Sequence, residues 1–263
     1  MKSDLDMICH HFTNDIIVYP VSDVHLGACE HMQAEWYNFT QEILKQPNAY
    51  IILNGDLINN ATRSSVSNIF EETMRPRDQK KLMVEMLTPI KDRILCAVSG
   101  NHERRSIKDA DDDPTYDIMC KLDLEDLYRP NMAFVKLGFG TRKSRPGKTQ
   151  NTLNYTVGVT HGSGGGIYTG ATVNRNERFG NVIDGLDCLI VGHTHKGTVT
   201  KPSKLVIDCT RNTVYQRNYT VISSESWQKY GGYAMQKMLL PGESGNPQML
   251  KFNKKEKNLT VTW

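Results

Sequence analysis

The first half of the chain alternates short apolar runs with longer stretches whose apolar residues recur at helical spacing. "DIIVYPVSD" (Asp15–Asp23), "AYIILNGD" (Ala49–Asp56) and "RILCAVSGNH" (Arg93–His102) are brief, β-rich and closed by polar turns, the pattern of strands buried on both faces. Between them, Met32–Gln46 sets Trp36, Phe39 and Ile43 at helical intervals, and Arg75–Ile90 carries Leu82, Met86 and Leu87 on one side. Tyr116–Tyr128 predicts a third helix. From Met132 onward the runs "MAFVKLGFG", "TLNYTVGVTHG", "DCLIVGHTH", "KLVIDCT", "VYQRNYTVISS", "YAMQKMLL" and "LKFNKKEKNLTVTW" read mostly as strands. Helix–strand alternation followed by strands predicts a layered α/β fold. In such sheets, polar turns at the strand ends are where ligands gather.

Five of these candidate strands end in Asp, Asn or His beside glycine. They supply Asp23 and His25, then Asp56, then Asn101 and His102, then His161, then His193 and His195. Five of the eight histidines lie in these turns. A single histidine at a strand end is ordinarily a hydrogen-bonded residue, but that explanation must hold at all five turns together. Carboxylate and neutral imidazole suit Mn²⁺, Zn²⁺ and Fe, and no thiolate belongs to the set. Seven O/N donors exceed one tetrahedral ion and suit two, with one carboxylate shared. Two ions about 3.5–4 Å apart can activate water and stabilise both oxygens of a phosphoryl centre.

Composition narrows the setting. The 263 residues allow one large domain over 1–263, with a basic, β-rich part from about 205. No apolar run approaches a membrane span, and the start lacks the basic-then-apolar order of a secretory signal. The six cysteines form no CxxC pair and read as reduced, buried small hydrophobes of a cytoplasmic protein. The net charge of +3 is uneven: Lys196–Trp263 holds eleven Lys/Arg and four Asp/Glu, +7, leaving −4 elsewhere. That imbalance fits either a polyanion partner or a solvated lysine face.

The five turns spell Asp23-Val24-His25, Gly55-Asp56, Gly100-Asn101-His102-Glu103, His161-Gly162 and Gly192-His193-Thr194-His195. In this order they resemble the signature of the calcineurin-like metallophosphoesterase superfamily. The resemblance covers residues 23 to 195, about two-thirds of the chain. It implies a four-layer α/β/β/α sandwich, the metallo-dependent phosphatase fold. It also implies that Asp23, His25 and His195 hold one divalent ion, that Asn101, His161 and His193 hold a second, and that Asp56 bridges them. His102 would be the catalytic histidine, beside a metal-bridging hydroxide that attacks phosphorus. Mn²⁺ is the expected ion, with Zn²⁺ and Fe open.

"SDVHLG" resembles the opening of SbcD-type nucleases, although those carry Asp where Glu103 stands. "GNHE" is shared with Ser/Thr protein phosphatases, but no Asp-Arg-Gly follows "GDLINNAT", which argues against that activity. A compact stand-alone member of the kind found in phages is expected, because the stretch after Thr210 is short for a DNA-capping region. The reading favours a phosphodiesterase or nuclease acting on DNA or RNA, with no membrane partner and homo-oligomerisation open. A small-nucleotide hydrolase or phosphomonoesterase is the alternative, and a non-catalytic scaffold the remote one.

Arg104 and Arg105 are candidate phosphate contacts, set against pairing with the acids of "DADDDP" (Asp109–Pro114), itself a solvated loop and helix start. The basic loop Arg142–Lys148 is a further candidate contact. "GSGGGIYTG" (Gly162–Gly170) reads as a flexible loop beside the metals. "ESWQKYGGYA" (Glu225–Ala234) reads as a core or subunit contact, or a base-stacking surface.

Overall fold

A computed structural model describes residues 4–63, 65, 69–140, 152–242 and 244–263. In chain order its first elements are β1 (Ile8–Phe12), β2 (Ile16–Val21), α1 (Gln33–Lys45), β3 (Ala49–Asn54), α2 (Pro76–Leu87), β4 (Ile94–Val98) and α3 (Asn101–Ala110). Next come α4 (Pro114–Lys121), β5 (Tyr128–Arg129), β6 (Met132–Phe139), β7 (Leu153–Thr160), α5 (Thr169–Asn181) and β8 (Cys188–Val191). The chain closes with β9 (Thr198–Thr200), β10 (Ser203–Asp208), β11 (Thr213–Asn218), β12 (Thr220–Ser223), α6 (Gly232–Gln236), β13 (Met249–Phe252) and β14 (Leu259–Thr262).

Two six-stranded mixed sheets form the centre, ordered β14-β13-β2-β3-β4-β5 and β1-β6-β7-β8-β12-β9. β2, β3 and β4 run parallel, as do β7, β8 and β12. The apolar runs are continuous because both faces of these strands are covered. In β2, Ile16 and Val18 point to the inter-sheet core, while Tyr19 and Val21 join the cluster beneath the helices. β3 divides likewise, with Ile52 inward and Ile51 and Leu53 outward. Ile51 pairs with Ile94 and Ile52 with Cys96, so Leu95 is an extra residue that bulges β4.

Trp36 and Ile43 of α1, Met83 and Leu87 of α2, and Ile118 and Met119 of α4 cover the first sheet. α5 covers the outer face of the second, where Leu189, Val191, Tyr219 and Val221 cluster. The result is the expected helix, sheet, sheet, helix layering. No helix among the described residues is long and apolar enough to cross a membrane.

Several expectations need correction. The helix over Tyr116–Tyr128 stops at Lys121, because Asp123 turns left-handed and a 3₁₀ turn follows. "YAMQKMLL" holds the short helix α6, not a strand. α5 stands where no helix is expected: its buried side is Thr172, Asn176 and Gly180, with no apolar stripe to reveal it. Cys96 and Cys188 are buried, but Cys9, Cys29 and Cys209 are exposed; all six are free. Asp113 caps α4 and Asp112 pairs with Lys80, as a loop and helix start should. Trp227 of "ESWQKYGGYA" is a core residue, packed edge-on against Trp36 with ring centroids 5.1 Å apart. Arg142–Lys148 lies outside the described residues.

Candidate metal centre

The five turns meet at one edge of the two sheets. The turn after β2 brings Asp23 and His25, and the turn after β3 brings Asp56. The first turn of α3 carries Asn101 and His102, the end of β7 leads into His161, and the turn after β8 gives His193 and His195. Their ligand atoms fall into three overlapping groups: Asp23, His25 and His195; His25, Asp56 and His102; and Asp56, His161 and His193.

Asp23 Oδ1 is 3.1 Å from His195 Nε2 and 3.7 Å from His25 Nε2, and the two Nε2 atoms are 3.2 Å apart. Asp56 Oδ2 is 3.2 Å from His161 Nε2 and 3.8 Å from His25 Nε2, facing both groups. Asn101 Oδ1 lies 3.1 Å from His161 Nε2 and 2.6 Å from His193 Nδ1. Donors about 2.0–2.2 Å from one ion stand roughly 3–3.5 Å apart, so these spacings fit shared cations. Asp23 Oδ1 is buried and makes no hydrogen bond among the described residues, although His195 Nε2 is close. A divalent cation is what such a donor set accommodates.

The backbone is bent to achieve this. Asp23, His25, Asp56, His193 and His195 all have positive φ, between 48° and 72°. Asp and His enter this region more readily than most non-glycine residues, and here five of them do so around one point. Gly100 is required beside them, since a Cβ there would come within 2.0 Å of Asp56 Oδ1. Outer contacts fix the ligands. His161 Nδ1 donates to the Asn54 carbonyl at 2.8 Å, leaving Nε2 for the centre. Asp23 Oδ2 accepts from the His193 N–H at 2.9 Å.

Burial opposes ionised carboxylates here, yet the imidazole charges of His195 and His161 hold Asp23 well below the usual range. His161 and His102 lower Asp56 in the same way. Burial pulls His161 down, but the Asp56 and Asp23 charges overcome it and raise it to about 10. The two acids therefore favour positive charge beside them, which a bound cation would supply in place of protons.

Glu103 plays a part that spacing did not reveal. Its buried carboxylate accepts from four backbone N–H groups: Asp56 at 3.0 Å, Leu57 at 2.7 Å, Ile58 at 3.2 Å and Gly100 at 2.9 Å. It clamps the Asp56 turn to the start of α3. Burial and the Asp56 charge push it up to about 7, against the pull of those donors. Its only sequence signal is its place directly after Gly100-Asn101-His102.

His102 Nδ1 donates to the Asn59 carbonyl at 2.7 Å, and Arg105 donates to His102 Nε2 at 3.0 Å. Burial pushes His102 down to about 3. Arg104 instead donates to the carbonyls of Ser99 and Pro130, both at 3.3 Å. The side chains of His195 and His102 are 35% and 14% exposed, against 3% or less for His25, Asp23, Asp56 and His161, so the centre opens beside His102 and His195. The glycine loop near this opening is braced: Arg175 donates to the carbonyls of Ser163, Gly164 and Gly165, and Lys196 to those of Gly166 and Ile167.

No curated protein matches the chain. Among solved structures it is similar to a conserved uncharacterised protein, a predicted phosphoesterase, from Streptococcus pneumoniae TIGR4, at 10% identity and a TM-score of 0.39, covering 95% of this chain and 90% of that one. It is also similar to the NAD nucleotidase of Haemophilus influenzae, at 10% identity and a TM-score of 0.41, covering 95% of this chain and 49% of that one. The family description "Calcineurin-like phosphoesterase" matches residues 18–197, a span that takes in all five turns, and the chain belongs to that family.

Proposed function

We propose that this chain is a dinuclear phosphodiesterase acting on nucleic acid, with Mn²⁺ as its ion. The observation that carries the reading is the convergence of seven O/N donors beside His102, with Asp56 facing both donor groups. Asp23, His25 and His195 would hold one ion, Asn101, His161 and His193 the other, and Asp56 would bridge them. Two divalent ions would supply charge neutralisation at phosphorus and a water acidic enough to act as nucleophile near neutral pH.

The chain's own residues do the rest. His102 presents Nε2 to the opening because its Nδ1–H is held by the Asn59 carbonyl. Arg105, already on that Nε2, is within reach of an arriving phosphate oxygen and suits its bidentate recognition. Once Arg105 turns from Nε2 to the phosphate, the anion favours a proton on His102 Nε2, taken up from solvent, which the ring can then give to the leaving oxygen. The first turn of α3 adds its positive dipole end on the same side. Arg104, engaged with two backbone carbonyls, is the weaker candidate for substrate contact. The +7 charge of Lys196–Trp263 and the nuclease-like "SDVHLG" opening support a nucleic-acid substrate.

The test is hydrolysis of bis-p-nitrophenyl phosphate beside p-nitrophenyl phosphate by the Mn²⁺-loaded protein, with His102→Ala at matched metal content. Diester preference that collapses in the variant is expected, and single- and double-stranded DNA follow. Monoester preference would move the function to a phosphomonoesterase. Metal uptake with no turnover of either ester would favour a scaffold.

A further inference from the structure

The segment after the Asp56 turn, Asn59-Asn60, reaches the centre through a chain of hydrogen bonds that begins at a backbone amide. Asn60 N–H donates to Gln79 Oε1 at 2.9 Å, which fixes the orientation of the wholly buried Gln79 amide. Its Nε2 therefore faces the other way and donates to Glu72 Oε2, and to the Met74 carbonyl at 2.9 Å. Glu72 Oε1 accepts from Asn59 Nδ2. A carboxylate only accepts, so the Asn59 amide cannot turn over without losing this bond. Asn59 Oδ1 is thereby directed at His25 Nδ1, 3.3 Å away. An oxygen there requires Nδ1 to carry the proton, leaving Nε2 of His25 as a lone pair toward Asp23, Asp56 and His195. The backbone carbonyl of the same residue imposes the same tautomer on His102, through Nδ1 at 2.7 Å.

We infer that Asn59 is a positioning residue that sets the tautomers of His25, through its side chain, and of His102, through its backbone, and that Glu72 and Gln79 set the orientation of Asn59. This deepens the metallophosphoesterase reading and rests on it for its functional consequence.

The division between side chain and backbone makes the inference testable with an internal control. Protein labelled with ¹⁵N-histidine is examined metal-free at pH 8 by long-range ¹H–¹⁵N correlation, which distinguishes the two imidazole tautomers. The wild type is expected to show His25 and His102 both protonated at Nδ1. Asn59→Leu, similar in shape and without an acceptor, should move His25 toward the Nε2–H form and leave His102 unchanged. The same variant should bind Mn²⁺ about 10–100-fold more weakly in a calorimetric titration, the usual cost of losing an outer partner of a metal-bound imidazole.

Rescue separates positioning from packing. Asn59→Asp combined with Glu72→Gln reverses the polarity of that hydrogen bond but keeps an oxygen facing His25. The pair should restore the His25 tautomer and bring Mn²⁺ affinity to within about tenfold of wild type, whereas Asn59→Asp alone keeps an oxygen at His25 but sets two carboxylates together and should not recover that affinity. An unmoved His25 tautomer in Asn59→Leu overturns the inference and leaves the phosphoesterase reading untouched. Equal shifts at His25 and His102 also overturn it, because they would mean a general loosening of the loop. If the wild type takes up no Mn²⁺, the metal reading fails, and the tautomer measurement still decides the role of Asn59.

Discussion

Val18, Ile52 and Val157 lie between the sheets, wholly buried, apolar and in ordinary strands. A few residues further along the same strands, Asp23, Asp56 and His161 are equally buried, but they are polar and crowded against one another. The first region follows folding physics alone: each residue is there because burial of its apolar surface is favourable. The second resists it. Five of its residues hold left-handed backbone, worth of order 1–3 kcal/mol each, and a buried carboxylate oxygen, Asp23 Oδ1, has no hydrogen bond among the described residues. Such strain persists where something outside the contacts of the fold repays it, and cations held by these donors would do so here.

If the two regions divide stability from chemistry, substitutions four residues apart should have opposite effects. Asp56→Ala should lower kcat/KM for the diester by at least about a thousandfold, ~4 kcal/mol, and abolish cooperative Mn²⁺ uptake without reducing the urea midpoint. Ile52→Ala should cost roughly 2–5 kcal/mol in urea unfolding while changing turnover per folded molecule less than about twofold. Similar losses of stability and activity in both variants would break the comparison.

The division within the centre itself is sharper still. His102→Ala should reduce kcat by about 10²–10⁴ with Mn²⁺ stoichiometry intact, since His102 is placed for proton transfer rather than counted among the seven ligands. Loss of metal from that variant would transfer His102 to the ligand set. Gly100→Ala comes next: its Cβ would press on Asp56 Oδ1, and Mn²⁺ affinity should fall about a hundredfold, or ~2.7 kcal/mol. The smallest effect is on stability. Mn²⁺ at ten times its dissociation constant should stabilise the fold by about 1.4 kcal/mol per site, read as a rise in Tm that EDTA reverses. A Tm indifferent to Mn²⁺ would show that the strained turns gain nothing from the ion.

The same contrast explains what the sequence disclosed. β2, β3 and β4 were legible because burial on both faces leaves continuous apolar runs, and the five turns were legible because each ligand group is confined to a few adjacent residues. α5 was hidden by its own packing: Thr172, Asn176 and Gly180 make a polar buried face, so no periodicity marks it. β1 was hidden because "ICHHF" buries only Ile8 fully and depends on distant pairing with β6, and its His10 donates to the Leu95 carbonyl at 2.7 Å. The clamp made by Glu103 and the Gln79–Glu72–Asn59 chain were invisible for another reason. Their partners lie in other turns, and hydrogen bonds to backbone leave no trace in residue type. Arg104 and Arg105 are adjacent and identical in sequence, and only the structure separates the one on backbone carbonyls from the one on His102.

The most direct test is a calorimetric titration of metal-free protein with Mn²⁺, with diester turnover measured on the same samples. About two ions per chain are expected, with turnover appearing only as the second site fills. Fewer than one ion bound, or full turnover in the metal-free protein, would contradict the assignment of the five turns to a dinuclear centre.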